Sequence, residues 1–226
     1  FSNISQTKNY AEQQATSNSL ASTPCSIYKN LMNQYGSNQK PPTVACVDAY
    51  LKVSTERFYT PDALVLTVTF ETERGYELTN VTFSIQSPTK WINQFRSEYP
   101  HYSSTNPTVV NLKLLQPGIP ARVHIYYQLS GLGFGQSLIG TVNYSDNSKQ
   151  SRHNTLNVKF SVFDLIRPKK STIGEFGSKW KANSREKKKT LTFKTPQTPQ
   201  SLADYLTKTC HVSLVQIRDS EIVCSA

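Results

Sequence analysis

Leu64-Val-Leu-Thr-Val-Thr-Phe-Glu71, Val81-Thr-Phe-Ser-Ile85, Val123-His-Ile-Tyr-Tyr-Gln-Leu129 and Leu156-Asn-Val-Lys-Phe-Ser-Val162 decide the fold. In the first, Leu64, Leu66, Val68 and Phe70 interleave with Thr67 and Thr69. In the third, Val123, Ile125, Tyr127 and Leu129 interleave with His124 and Gln128. A period of two puts every second side chain on one face, so each run has an apolar face and a wet one. About seven such runs lie between Val44 and Leu165. Strands of this kind must pair apolar face to apolar face, which predicts an all-β, two-sheet antiparallel sandwich.

Working outward, Val44–Val53 reads as the first strand and Ala63–Glu71 as the second, with Pro61-Asp62 as turn chemistry between them. Pro88–Pro107 is the longest irregular piece. Its Trp91, Phe95, Tyr99 and Tyr102 suit a loop or short helix closing one end of the sandwich, with a ligand groove as the other reading. Val109–Leu115 resumes the alternation, and Gln116-Pro-Gly follows as a turn. Gly131-Leu-Gly-Phe-Gly departs from G-x-G-x-x-G and precedes no helix, so it reads as a hairpin tip. Ser145-Asp-Asn-Ser is a further turn, and Asn154–Leu165 the last strand.

Residues 1–42 are rich in Ser, Asn, Gln and Thr and hold no sustained apolar period, the composition of a flexible tether. Within them Ile27, Leu31 and Met32 give Ser26–Tyr35 the spacing of a short helical turn. After Arg167-Pro168 the pattern changes. Ser171 or Thr172 can cap a helix with Glu175 in its first turn, and Ile173, Phe176 and Trp180 share one helix face. Leu191-Thr-Phe reads as a short strand interrupted by Pro196 and Pro199. Ser201–Thr209 reads as a helix with Leu202, Tyr205 and Leu206 on one face, His211–Ile217 as a strand, and Ile222-Val-Cys as the start of another. The expected organisation is therefore a tether over 1–42, a sandwich over 43–166 and a small α+β unit over 167–226.

Apolar residues make up 37% of the 226, and the polar N-terminal stretch accounts for much of that low share. No run approaches the ~20 apolar residues of a membrane span, and Phe1 onward lacks the basic-then-apolar pattern of a secretion signal. Asn3, Asn80 and Asn143 head glycosylation triplets, which carry little weight without such a signal. Cys25, Cys46, Cys210 and Cys224 have neither C-x-x-C spacing nor histidines at ligand spacing, which fits free thiols better than zinc or a disulfide framework. His101, His124, His153 and His211 are scattered. No paired carboxylates, H-E-x-x-H, G-x-S-x-G or phosphate loop occurs, so no catalytic residue, cofactor or metal is expected.

The net charge of +10 is concentrated. Nine Lys/Arg stand against Glu175 and Glu186 between Arg167 and Lys189, a local balance of +7. Lys181, Arg185, Lys187, Lys188 and Lys189 form the candidate anion-facing patch. It can be a solvated helix end, a surface for acidic peptide or anionic lipid, or a nucleic-acid site; interleaved aromatics and a groove-reading helix, which the last would need, are missing. Trp180 is either a core tryptophan or an exposed aromatic between Lys179 and Lys181 that could accept an aromatic side chain of a peptide.

Leu114-Leu-Gln-Pro-Gly, Leu138-Ile-Gly-Thr-Val-Asn-Tyr and Phe163-Asp-Leu-Ile-Arg-Pro followed by Ile173-Gly-Glu-Phe-Gly-Ser-Lys-Trp carry a family resemblance. The chain from about Val44 to Ala226 resembles the appendage, or ear, of the large subunits of heterotetrameric adaptor complexes, and looks most like the epsilon type. That resemblance implies an immunoglobulin-like sandwich and a small α+β platform, with the N-terminal part as hinge to the trunk. It implies a platform that captures short aromatic motifs of cytosolic accessory proteins, with Trp180 as pocket floor, Lys179 as basic neighbour and Phe176 as aromatic neighbour. Gly177 stands where the alpha type has a second phenylalanine, which puts identical motif specificity in doubt. In relatives the platform continues for more strands and a helix past the point matching Cys224-Ser-Ala, so a shortened or truncated platform is implied here. The other implied partners are the remaining adaptor subunits and, through them, the cytosolic face of trans-Golgi network or endosome membranes; nucleic acid is not expected. Rival readings are a basic module binding anionic lipid or nucleic acid through residues 167–189, and a purely structural subunit-contact domain.

Overall fold

Alternation of small polar and large apolar side chains produces two five-stranded sheets in the computed structural model. It describes residues 26–36, 41–73, 75–86, 92–106, 108–128, 135–183, 192, 194–195 and 197–226. The elements are α1 (Ser26–Tyr35), β1 (Thr43–Val47), β2 (Leu51–Tyr59), β3 (Ala63–Thr72), β4 (Leu78–Ile85), β5 (Ile92–Arg96), β6 (Tyr102–Asn106), β7 (Val109–Leu115), β8 (Ala121–Gln128), β9 (Ser137–Ser145) and β10 (Ser151–Lys159). After these come α2 (Val162–Leu165), α3 (Ile173–Ala182), α4 (Pro199–Cys210), β11 (Ser213–Arg218) and β12 (Glu221–Ser225). The chain divides into two units, 1–159 and 160–226.

In the first unit one sheet runs β1-β2-β3-β8-β5 and the other β10-β9-β4-β7-β6, with antiparallel neighbours throughout. Leu64, Leu66, Val68 and Phe70 face inward from the first sheet, and Val81, Phe83, Leu112 and Val142 are buried in the second. Phe70 and Phe83 meet edge to face across the two sheets, centroids 5.4 Å apart. Burying each such ring stabilises the sandwich by roughly 2–3 kcal/mol.

The expected first strand, Val44–Val53, is two strands. The Asp48 carboxylate accepts the backbone N–H groups of Tyr50 and Leu51 at 2.8 and 2.7 Å, and this side-chain-built turn folds β2 back on β1. The stretch expected as a loop or short helix, Pro88–Pro107, supplies β5 and β6. Among the described residues each pairs on one side only, at the outer edge of its sheet, where polar residues are tolerated and the alternation signal is correspondingly weak. Within it Tyr99 is buried, Phe95 and Tyr102 are half-buried, and Trp91 lies outside the described residues. The expected last strand, Asn154–Leu165, instead starts at Ser151 and stops at Lys159. Asp146 accepts the N–H groups of Ser148 and Gln150 to start β10 early, and Asp164 accepts the N–H and hydroxyl of Ser161 to begin the one-turn helix α2.

Inside the stretch expected to be a tether, Ser26–Tyr35 is helical and packed. Leu31 is buried against Phe58 and Val65, with Ile27, Tyr28, Tyr35 and Tyr126 around it, while Met32 faces outward. The rest of the tether through Cys25, the Gly131-Leu-Gly-Phe part of the hairpin tip and Leu191-Thr-Phe as a strand fall wholly or mainly outside the described residues.

In the second unit β11 and β12 form a hairpin through Asp219 and Ser220. Helices α3 and α4 pack on β11, and α4 also on β12. Pro199, expected to interrupt, opens α4 at its first position: a helix needs no N–H there, and the Thr198 hydroxyl caps Ser201 N–H at 3.1 Å. Ala203 is the buried residue of α4, with Leu202 and Leu206 half-buried. Tyr205 lies about 200° around the helix from Ala203 at 100° per residue and is exposed, contrary to the expected apolar face. Ser225 Oγ donates to the Lys169 carbonyl, tying β12 to the segment that leads into α3.

Candidate functional site

Thr172-Ile-Gly-Glu175 is a capping box, and it sets where α3 begins. The Thr172 hydroxyl accepts from Glu175 N–H at 3.3 Å, and Glu175 Oε2 accepts from Thr172 N–H at 2.9 Å and its hydroxyl at 3.1 Å. Those hydrogen bonds, the backbone one foremost, hold the Glu175 carboxyl below its ordinary range, with Lys179 and Lys169 adding smaller pulls. At the other end the Asn183 N–H reaches the Lys179 and Trp180 carbonyls.

This start fixes which side chains share a face. Phe176 and Trp180, one turn apart, stack with centroids 5.7 Å apart and planes 23° from parallel. No residue of α3 is fully buried. The Trp180 side chain remains 57% exposed and Ile173 60% exposed, while Phe176 and Gly177 are half-buried. A tryptophan that belonged to the core would lose nearly all its contact with water, so the core reading of Trp180 is corrected. What the helix presents is an apolar strip of about two turns edged by Lys179 and Lys181, with exposed Lys169 and Lys170 just ahead of it.

Phe176, Lys179, Trp180 and Lys181 are thus brought together on one helix. Arg185, Lys187, Lys188 and Lys189 lie outside the described residues. Sequence reading passed over Lys169 and Lys170 as site residues, although their place in the +7 segment was visible. Exposed Tyr205 and Leu214 add apolar surface to the same unit.

Among the described residues no three or more His, Cys, Asp or Glu are placed to hold a metal ion. Cys46, Cys210 and Cys224 are free, and burial pushes the Cys46 thiol up to about 11. Among the same residues no helix is long and apolar enough to cross a membrane.

Residues 168–226 match the family model described as the Adaptin AP4 complex epsilon appendage platform. Most of the second unit is therefore similar to the epsilon-type adaptor appendage platforms. The matched residues include the capping box, the Phe176–Trp180 pair and the β11–β12 hairpin. No curated protein matches the chain. Among solved structures the chain is similar to the GAE domain of yeast GGA1 (14% identity, 53% of this chain and 98% of that one, TM-score 0.37). Similar too are the GAE domain of GGA2p from Saccharomyces cerevisiae (14%, 54% and 97%, 0.35) and the N-terminal domain of Neisseria meningitidis DsbD (13%, 50% and 85%, 0.33).

Proposed function

We propose that this epsilon-type appendage is a non-enzymatic protein-interaction module of a vesicle coat. It recruits cytosolic accessory proteins through short peptides that carry an aromatic or large apolar anchor. Trp180 is the surface on which the anchor rests, Phe176 fixes the indole plane, and Lys179 attracts polar or acidic flanks. The exposed Trp180 ring stacked on Phe176 carries this reading, because apolar surface held rigid in water loses little entropy when a partner covers it. Each contact is small, so single-site affinity is weak and many copies on one coat supply avidity. The place of action is the cytosolic face of trans-Golgi network or endosome membranes, reached through the other adaptor subunits.

The test is a pull-down from cytosol with the full chain and its Trp180→Ala variant, followed by mapping of the captured segments on peptide arrays. Recovery of aromatic peptides by the native chain alone is expected; equal recovery by both proteins overturns the reading.

A second reading draws on the exposed cations Lys169, Lys170, Lys179 and Lys181: binding of anionic lipid through residues 167–189. Co-sedimentation with phosphatidylserine vesicles, reversed by changing these four lysines to Glu, would move the function to that surface. RNA gel shifts with the same variants cover the nucleic-acid rival.

A further inference from the structure

The outer face of the β1-β2-β3-β8-β5 sheet, the one turned away from the sandwich core, has its own chemistry. By register, Phe58, Val65 and Tyr126 form an apolar row across β2, β3 and β8. The next row along is Glu56, Thr67 and His124, and the one after it Ser54, Thr69 and Arg122. Helix α1 lies on this face and meets it in three ways. Leu31 is buried on Phe58 and Val65. The Tyr28 ring meets Phe58 edge to face at 5.9 Å and carries the Arg122 guanidinium over its plane at 4.5 Å. At the helix start the Glu98 carboxylate accepts from Ser26 N–H and Ile27 N–H, the latter at 3.0 Å, and from the Ser26 hydroxyl.

These contacts are the parts of a receptor for one amphipathic helix. An apolar row receives the stripe, a cation receives the aromatic, and an acceptor 72 residues away in sequence meets the positive end of the helix where its N–H groups lack partners. The helix itself is ten residues long with one buried side chain, and a helix so short is marginal in water without its dock.

We infer that the outer face of this sheet is a helix-binding surface, and that α1 is its occupant in cis. It fits a helix with apolar or aromatic residues spaced like Ile27, Tyr28, Leu31 and Tyr35, and Glu98 latches the N-terminus. The surface shares no residue with the α3 strip, so it stands or falls independently of the peptide-capture reading.

The test supplies the helix in trans. A fluorescein-labelled peptide of residues 24–37 is titrated into the full native chain and into the full chain carrying Leu31→Asp, which places a charge on the apolar row and empties the surface. Saturable binding to the Leu31→Asp chain with none to the native chain is expected. Adding Glu98→Ala should weaken that binding about fivefold, the size of a lost helix cap. Hydrogen exchange follows both proteins. Amides of α1 should lose protection in the Leu31→Asp chain while β3 and β8 keep theirs. Equal binding to both chains, no binding to the emptied one, or loss of protection in β3 and β8 (which would make α1 part of the core) each overturns the inference.

Discussion

Trp180 stacks on Phe176 from one helical turn away, and neither ring is enclosed: the indole is 57% exposed and the phenyl half-buried. Partnership between exposed rings stiffens a surface without contributing much to the fold. Trp180→Ala should therefore change unfolding free energy by no more than about 0.5 kcal/mol, as for other surface positions. The same variant should abolish peptide capture. Thermal melts beside the pull-down check both halves; a large drop in melting temperature would return Trp180 to the core.

Helix α3 starts where the Thr172–Glu175 box satisfies its first N–H groups, so the strip depends on that cap. Thr172→Ala should cost about 1 kcal/mol of local helix stability. It should raise hydrogen exchange over 173–177 and weaken peptide binding a few-fold, with β3 and β8 exchange unchanged. Unaltered exchange in α3 would show that packing on β11, not the cap, holds the helix.

Signals local in sequence were legible. The Thr67 and Thr69 alternation placed β3, and the Thr172-x-x-Glu175 spacing placed α3, because a strand period and a capping box are each written within a few residues. The break at Asp48 was missed because Val44–Val53 is apolar enough to read as one strand; the turn comes from a single carboxylate finding two N–H groups. β5 and β6 were missed because edge strands need only one partner and keep polar side chains. The docking of Ser26–Tyr35 was unreadable for another reason: its partner Glu98 lies 72 residues from Ser26, beyond the reach of any local pattern. At the site, the spacing of Phe176 and Trp180 was visible, but their exposure was not, since the same spacing serves a buried helix equally well.

Gly140, on β9, faces the core where no larger side chain fits. A Cβ there would sit 2.6 Å from Phe83 Cε2 and 3.2 Å from Leu156 Cγ, both in the packed interior. Gly140→Ala should destabilise the sandwich by about 1–3 kcal/mol through overpacking. Denaturant unfolding checks it, and a change below 0.5 kcal/mol (roughly the surface level) would mean that Phe83 has room to move.

His124 gives the sandwich a pH dependence whose sign follows from its surroundings. The ring is buried on β8, with Thr67 Oγ1 2.8 Å from Nδ1 and Arg96 opposite it in register on β5. Burial foremost, then the positive Arg122, lowers its pKa to about 4, against a weaker opposite pull from Glu98. Unfolded, the same ring titrates near 6.5. Between these values the unfolded chain takes up a proton that the folded chain refuses, so stability falls as pH drops from about 6.5 to about 4 and then levels off. The full loss from this one group is about 3 kcal/mol. His124→Gln, which has no proton to bind, should flatten that slope. Guanidinium midpoints of both proteins at pH 7.0, 5.5 and 4.5 decide it, since parallel pH lines would mean that other groups, Asp48 and Asp146 among them, carry the acid sensitivity.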